Sequence, residues 1–296
     1  MTSETLPIRQ HPSEMTGAQA SSGDKVTIAP RRHPWRWVGG ALIAFILFRI
    51  ASSMVSNENF GWDIVAEYLF SPVVLSGLGL TIWLTVVAMT LGIVLGLVLA
   101  VMALSTNPMA RYPANVYLWL FRGTPVLVQL IFWYNLAALY PAIQLGLPFG
   151  QVLAEYSTNA LITPYTAALL GLSLNEAAYM AEITRAGISS IDRGQEEAAK
   201  SLGMVRLLTL RRIILPQALR VIIPPTGNQV IGMLKMTSLV SVISLYDLLY
   251  SVQGVSARTF QVIPMLIVAC VWYLFMTSVL SLGQKYIERV CSKDAY

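Results

Sequence analysis

Polar side chains recur at three-residue intervals in one apolar stretch of the chain, at Glu176, Tyr179, Glu182 and Arg185. Residues three apart on a helix are neighbours on its surface, so this spacing predicts one polar series along a helix. Lys235 and Ser238 lie in a second apolar stretch. A charged group at the centre of a bilayer costs about 2.5–3.5 kcal/mol and normally faces protein or water. The pattern therefore predicts a polar path through apolar surroundings.

Two interpretations of these groups are open. In the first, they line a path for a polar solute and neutralise its charges; the candidate residues are Glu176, Tyr179, Glu182, Lys235 and Ser238. In the second, they pair with one another or with a second subunit and contact no solute. Glu182 and Arg185 have the spacing of a helical ion pair, which favours the second interpretation for those two residues.

Another polar segment, residues 185–220, separates two very apolar ones and holds seven of the Lys and Arg residues. Asp192 is a typical helix N-cap residue, so a helix is predicted to begin just after it. Gly203 is a natural left-handed helix end. A second short helix is predicted over residues 205–215, where Pro216 disrupts it. The segment is thus expected to form a helix, a glycine corner and a helix.

Membrane-spanning helices are expected to hold these polar residues in place. Hydrophobic residues make up 55% of the chain and charged residues only 12%, about half the ~25% typical of a soluble domain. The apolar residues form blocks of about 20 or more, the length that crosses ~30 Å of hydrocarbon. We therefore predict an all-α integral membrane protein with about six transmembrane helices. The spans are predicted at residues 37–56, 73–104, 116–139, 161–183, 221–246 and 262–284.

The distribution of basic residues orients these spans. Seventeen of the twenty Lys and Arg residues lie in segments on one side, and only Arg258 lies in the loops on the other. Because basic loops are cytoplasmic, both termini are predicted to be cytoplasmic. The partition also explains the net charge of +5 without nucleic acid, and no aromatic residues interleave with the basic ones as on a nucleic-acid surface.

The N-terminal residues have a different composition. Residues 1–36 are rich in small and polar residues with few large apolar side chains, and they are expected to form a disordered cytoplasmic tail. The apolar stretch that follows comes too late for a secretory signal peptide. Residues 37–56 are therefore interpreted as a retained N-terminal transmembrane helix.

Motifs for catalysis are missing from the sequence. It lacks the Gly-x-x-x-x-Gly-Lys-Ser/Thr phosphate loop and the HExxH and GxSxG motifs, and its histidines, His11 and His33, lie in the tail region. The chain is therefore expected to be no enzyme and to bind no metal or cofactor of its own.

The polar segment carries Glu197-Ala198-Ala199, then Gly203, then Ile213-Ile214-Leu215-Pro216 at fixed separations. This pattern resembles the cytoplasmic coupling loop of binding-protein-dependent ABC importer permeases. The resemblance implies that a separate ATPase contacts the loop through Glu197, Ala198, Ala199, Gly203, Ile213, Leu215 and Pro216. The alternative, an amphipathic hairpin lying on anionic lipid, does not explain so many identities at these separations.

Further motifs narrow the resemblance to permeases for polar amino acids. They are FRGTPVLVQL at residues 121–130, NEAAYMAE at 175–182 and LKMTSL at 234–239. The resemblance covers about residues 70–290 and implies a five-helix permease core, with one additional helix before it. The coupling loop lies within this core, at about residues 185–220.

The resemblance also implies an assembly in the bacterial inner membrane. Its parts are a second permease subunit of the same or a similar chain, a cytoplasmic ATPase dimer that binds ATP and Mg²⁺, and an extracytoplasmic solute-binding protein that delivers the amino acid. Membrane lipid surrounds the permease, and no nucleic acid takes part. In this setting the carboxylates and the ammonium of the polar path are expected to neutralise the two charged ends of an amino acid.

Two classes of protein other than an ABC importer permease are consistent with part of the sequence. An amino acid transporter driven by an ion gradient is the main alternative, because carboxylates within a span suit ion or proton coupling. It leaves the capped loop unexplained, and six spans without visible repeats are few for that architecture. A membrane scaffold or receptor is favoured only if the polar groups of the spans are fully paired.

Overall fold

The computed structural model describes residues 34–146 and 152–293. The predicted disordered tail falls on residues 1–33, which lie outside the described residues, and on residues 34–36, which begin a helix. The regular secondary structure of the described residues is helical apart from one two-stranded hairpin, which confirms the all-α membrane class. The described residues fall into two units, one that ends at Ser56 and one that begins at Asn57.

The first unit contributes one described helix, α1, which spans Pro34–Ser56. The second unit begins with α2 (Trp62–Leu69), α3 (Pro72–Ala103), α4 (Pro108–Gly123), α5 (Val126–Tyr134), strands β1 (Ala142–Gly146) and β2 (Val152–Ser157), and α6 (Thr158–Leu161). It continues with α7 (Pro164–Ser189), α8 (Arg193–Ser201), α9 (Arg206–Thr209), α10 (Leu215–Met236), α11 (Leu248–Thr259) and α12 (Val262–Lys293). A π-helical turn, Leu210–Ile214, joins α9 to α10, and a 3₁₀ segment, Thr237–Ile243, follows α10.

Three of the described helices are long and apolar enough to cross a membrane by themselves, at Trp37–Ser56, Pro72–Ala103 and Val262–Val290. Two bent pairs qualify only when each pair is taken as one span. The prediction of six separate spans is therefore not confirmed. The difference arises at the two broken helices and at α7, which is long enough but too polar to be counted.

The first break divides the span predicted at 116–139 into α4 and α5, which meet at an angle of 102°. Thr124 is extended and precedes Pro125, which caps α5. A residue before proline is driven out of the helical region, so the helix cannot continue. At 1.5 Å per residue, α4 is about 24 Å long and α5 about 13 Å, so neither spans the bilayer alone.

The second break involves the segment predicted as a loop at 247–261, which is instead helix α11. Asp247 caps this helix by accepting hydrogen bonds from the backbone N–H groups of Leu249 (3.2 Å) and Tyr250 (2.9 Å). The hydroxyl of Tyr273 on α12 also donates to Asp247, at 3.4 Å. The buried carboxylate thereby joins α11 to α12.

Helix α7 lies at the centre of the second unit, in contact with α3, α4, α5 and α10. Thirteen of its 26 residues are buried, and because other helices cover it, it needs no apolar face toward lipid. Its most extensive contact is with α3, where Gly92 and Gly96 let the two backbones approach. A Cβ at Gly96 would stand 2.6 Å from the Cβ of Met180. Small residues are the usual means of such close helix packing in membranes.

The polar segment between α7 and α10 is shorter than predicted, since α7 extends to Ser189 and α10 begins at Leu215. The prediction that Pro216 disrupts the second short helix is wrong. The N–H of Leu215 donates to the carbonyl of Leu210 in the π turn, which changes the hydrogen-bond register. Pro216 then falls in the first turn of α10, where a missing N–H is tolerated.

Candidate functional site

The corner between α4 and α5 is held by side-chain amides. Gln129 on α5 donates through Nε2 to the hydroxyl of Thr124 (2.7 Å) and to the carbonyl of Phe121 (3.1 Å). Asn175 on α7 donates to the same Phe121 carbonyl at 2.9 Å. The carbonyl of residue 121 is one of the groups that the end of α4 leaves without helical partners. The two side-chain amides therefore satisfy this carbonyl at the break and connect the end of α4 to α7.

A cavity of about 370 Å³ opens beside this corner. Three parts of the chain line it: the corner itself, one face of α7 and one face of α10. The lining residues are Arg122, Gly123, Thr124, Pro125, Val126, Asn175, Glu176, Tyr179, Gln229 and Met236. Its volume is within the range of about 300–1,000 Å³ that is typical of small-molecule sites.

Glu176 is the most buried charged residue of this lining, with 1% of its surface exposed. Its Oε1 atom has no hydrogen-bond partner among the described residues. A buried polar group normally has a partner, because leaving it without one costs about 1–3 kcal/mol and more when it is charged. The carboxylate is therefore suited to receive a hydrogen-bond donor that enters the cavity.

Arg122 supplies the opposite charge to the same cavity. Its guanidinium carbon lies 5.9 Å from the ring centroid of Tyr179, within the range of a cation–π contact. Its Nη1 atom is 3.5 Å from Glu182, and Glu182 also accepts a hydrogen bond of 3.1 Å from the Nε of Arg185. Glu182 thus joins two arginines and does not line the cavity, as the ion-pair interpretation expects.

Lys235 and Ser238 lie apart from these groups, since neither lines the cavity. Lys235 is exposed, and the hydroxyl of Ser238 donates to the Lys235 carbonyl at 2.7 Å. Met236, between them, does line the cavity. Of the five residues predicted for the solute path, the structure brings together Glu176 and Tyr179, with Arg122 as the nearby cation in place of Lys235.

Sequence reasoning assigned no site role to Gln129 or Arg122. Both residues had a signal, because each is a polar group near a Gly or Pro that interrupts an apolar segment: Arg122 directly precedes Gly123, and Gln129 follows Pro125 by four positions. Satisfying the carbonyls of a broken helix needs such a group nearby. The sequence does not show where α7 packs, and it is α7 that brings Asn175 and Glu176 to the break between α4 and α5.

The polar segment forms a second site on the same unit. The side chain of Asp192 caps α8 by accepting from the N–H of Gly194 at 2.6 Å. At the other end, Gly203 has φ of 71°, the N–H of Gly203 donates to the carbonyl of Lys200, and that of Met204 donates to the carbonyl of Ala199. These two bonds form a Schellman motif, so the predicted start and glycine end of α8 are confirmed.

Within this segment, Glu197, Ala198 and Gly203 are exposed, whereas Ala199 is buried against the chain itself. Ile213 and Leu215 are half-buried, and Pro216 is exposed. Helix α8 is held further by an ion pair of 2.9 Å between Glu196 and Lys200, and the hydrogen bond from Lys200 lowers the pKa of Glu196. The exposed corner is a rigid knob that a partner can contact.

Comparison with known proteins identifies the class. Residues 92–291 match the family described as the binding-protein-dependent transport system inner membrane component. The match covers more than half of the chain, and the chain therefore belongs to this family of membrane permeases. The expected resemblance to ABC importer permeases is confirmed, and the chain is a multi-pass membrane protein.

Relatives with specific names are similar over most of their length. The arginine transport system permease protein ArgU of Corynebacterium glutamicum is 46% identical over 281 residues, which cover 94% of this chain and 87% of that protein. The glutamine transport system permease protein GlnP of Escherichia coli is 34% identical over 231 residues, 78% of this chain and 97% of that protein.

A solved structure of an amino acid ABC transporter with histidines matches with a TM-score of 0.64 and 36% identity, covering 76% of this chain and 97% of that one. The MetNI methionine ABC transporter matches with a TM-score of 0.59 at 15% identity, covering 74% of this chain and 96% of that one. The second match shows the fold alone.

Proposed function

We propose that this chain is the membrane-spanning subunit of an ATP-driven importer for polar amino acids, and that the solute passes through the cavity beside the α4–α5 corner. The observation that carries the proposal is the buried carboxylate of Glu176, which lines the cavity with one oxygen unpartnered among the described residues. The membership of amino acid permeases in the same family supports it.

The cavity suits an amino acid because it holds both signs of charge. The ammonium of a bound amino acid donates to Glu176, and its carboxylate accepts from Arg122, whose fork of N–H donors fits a carboxylate. Gln229 and the Tyr179 hydroxyl complete a polar wall. Binding both charged ends offsets the cost of removing them from water. Lys235 and Ser238 then act elsewhere on the path or in a subunit contact.

The knob formed by α8 and Gly203 couples this cavity to ATP hydrolysis on other subunits. A cytoplasmic ATPase dimer, which binds ATP and Mg²⁺, contacts Glu197, Ala198 and Gly203. When the two ATPase subunits close on each other, the rigid knob transmits their movement to α7 and α10. Transmission of this kind requires a stiff element, which the capped helix and its Schellman end provide. A second permease subunit and an extracytoplasmic solute-binding protein complete the transporter, with both termini of this chain in the cytoplasm.

Transport energised by ATP is tested against transport energised by an ion gradient. Uptake of labelled amino acids is measured in cells that express this chain together with its partner subunits. It is measured first with ATP depleted and the ion gradient clamped, then with the gradient collapsed and ATP supplied. The proposal expects uptake to stop in the first condition and to continue in the second. The reverse pattern identifies an ion-coupled carrier and overturns the proposal.

A further inference from the structure

A second cavity, of about 500 Å³, lies on the other side of Arg122, between α4, the end of α7 and the α3–α4 loop. Three arginines and one carboxylate line it, which leaves an excess of positive charge. The lining residues are Ala103, Leu104, Ser105, Thr106, Arg111, Asn115, Leu118, Arg122, Glu182 and Arg185. We call this cavity the arginine groove.

Helix α4 provides the long wall of the arginine groove. Its lining residues Arg111, Asn115, Leu118 and Arg122 are separated by four, three and four positions, so they occupy one face of the helix. Arg122 and Arg185 contact Glu182, which fixes their guanidinium groups at one end. Arg111, at the other end, is exposed and has no side-chain partner within residues 34–146 and 152–293. Its charge is available to a ligand.

An adjoining face of α4 is apolar and exposed. Met109, Tyr112, Val116 and Trp119 are 84%, 72%, 59% and 75% exposed and follow one another at intervals of three and four residues. A helix with aromatic and aliphatic side chains on one face and basic ones on the next is typical of the interface between acyl chains and lipid headgroups. One molecule can therefore contact both faces of α4, with a phosphate against the basic face and acyl chains against the apolar face.

We infer that the arginine groove binds the phosphate of an anionic phospholipid, with its acyl chains against the exposed apolar face of α4. Arg111 and Arg185 donate charge-assisted hydrogen bonds to phosphate oxygens, for which a guanidinium fork is suited. Ser105 and Thr106 supply hydroxyl donors at the groove's edge. The groove prefers an anionic headgroup to a zwitterionic one because its own excess charge is positive. Only its placement on the cytoplasmic side rests on the proposed function.

Binding is tested on the purified transporter complex in neutral detergent, by native mass spectrometry with short-chain phosphatidylglycerol and phosphatidylcholine as probes. The informative variants are Arg111→Gln, which removes the unpaired charge, and Asn115→Asp, which adds a negative charge to the same wall. Both positions are exposed, so folding is maintained, and melting temperature checks it. Lys285→Gln is the matched control, because it removes an exposed positive charge on α12, away from the groove.

Wild-type protein is expected to bind phosphatidylglycerol more tightly than phosphatidylcholine. Arg111→Gln is expected to weaken phosphatidylglycerol binding about fivefold, the factor that corresponds to ~1 kcal/mol per basic residue near a membrane surface. Asn115→Asp weakens it as well, and Lys285→Gln leaves it unchanged. Equal losses in Arg111→Gln and Lys285→Gln, or no loss in either groove variant, overturn the inference.

A competition arm separates lipid from a soluble anion. Inorganic phosphate at the concentration of the lipid is expected not to displace phosphatidylglycerol, because the acyl chains contribute to binding; displacement would overturn the assignment to lipid. The readout uses neither ATP nor transport. If the wild-type protein shows no ATP-driven uptake but binds phosphatidylglycerol selectively, only the proposed function is refuted. If it shows ATP-driven uptake but no selective lipid binding, only the inference about the arginine groove is refuted.

Discussion

The side chain of Glu176 lies directly against the backbone of Gly92. A Cβ at Gly92 would stand 2.7 Å from the Cγ and 2.9 Å from the Cβ of Glu176, closer than real Cβ atoms approach. The missing side chain on α3 therefore makes the room in which the carboxylate of α7 is held. Helix packing and the proposed solute site are coupled at this one contact.

Replacement of Gly92 tests this coupling. Gly92→Ala is expected to push Glu176 and α7 away from α3, at a cost of about 1–3 kcal/mol for overpacking, and to reduce uptake by displacing the carboxylate. Gly79→Ala on the same helix is the control, since a Cβ there meets nothing within 4 Å. Melting temperature in detergent and uptake are measured together. Equal behaviour of the two variants would show that the Gly92 contact does not matter.

Glu176→Gln keeps the shape of the side chain and removes its charge. The concentration of amino acid for half-maximal transport is expected to rise roughly 10- to 100-fold, the factor for a hydrogen bond to a charged group worth ~1.5–3 kcal/mol. Expression and copurification of partner subunits should stay normal, because glutamine keeps the shape of the side chain and Oε1 of Glu176 has no hydrogen-bond partner among the described residues. Unchanged transport kinetics would remove Glu176 from the solute path.

Gly203→Val tests the left-handed backbone conformation of the glycine corner after α8. A Cβ at Gly203 meets nothing within 4 Å, so the cost is the left-handed backbone, about 1–2 kcal/mol for a residue with a Cβ. We expect less ATPase copurified and slower uptake. Gly203→Asn is the control, because asparagine tolerates this conformation while also carrying a Cβ. If both variants lose the ATPase equally, the added side chain itself is responsible and the conformational account fails.

The Glu196–Lys200 pair predicts a direction of pH dependence. A carboxyl with a pKa lowered on folding contributes stability above its ordinary pKa of about 4.3, and this contribution is lost as the pH falls through the lowered value. The pair therefore supports α8 at neutral pH and fails only in acid. Lys200→Gln should raise the pKa of Glu196 toward its ordinary value.

The pKa is measured by a ¹³C NMR titration of protein labelled at glutamate side chains, with Glu196→Gln to assign the signal. Lys285→Gln provides the control for a general change in surface charge. An identical Glu196 titration in wild type and Lys200→Gln would show that the hydrogen bond does not form in solution.

Local signals predicted parts of the fold well. Asp192 and Gly203 fixed both ends of α8, because a cap and a left-handed glycine act within a few residues. The break after Gly123 was also encoded, by Thr124 before Pro125, but the surrounding apolar run concealed it. The prediction at Pro216 was wrong because a π turn moves this residue into a tolerated position, and such a change of register depends on how α10 packs.

The candidate site was predictable only in part. The spacing of Glu176 and Tyr179 placed them on adjoining faces of one helix, which is a local property. The cation that faces them depends on where α4 ends relative to α7, and no local pattern distinguishes Arg122 from Lys235 in that respect. Gly92 can be recognised in the sequence as a small residue, whereas its contact with Glu176 depends on the tertiary packing of α3 against α7.

We expect the exposed corner after α8 to couple this permease to a separate ATPase. The most direct measurement is to tag the chain, purify it gently in detergent and identify the copurifying proteins by mass spectrometry, for wild type and Glu197→Lys. Glu197 is exposed, so the variant should insert and fold normally. We expect an ATPase in the wild-type sample and its loss in the variant. A well-folded preparation with no ATPase in either sample would contradict it.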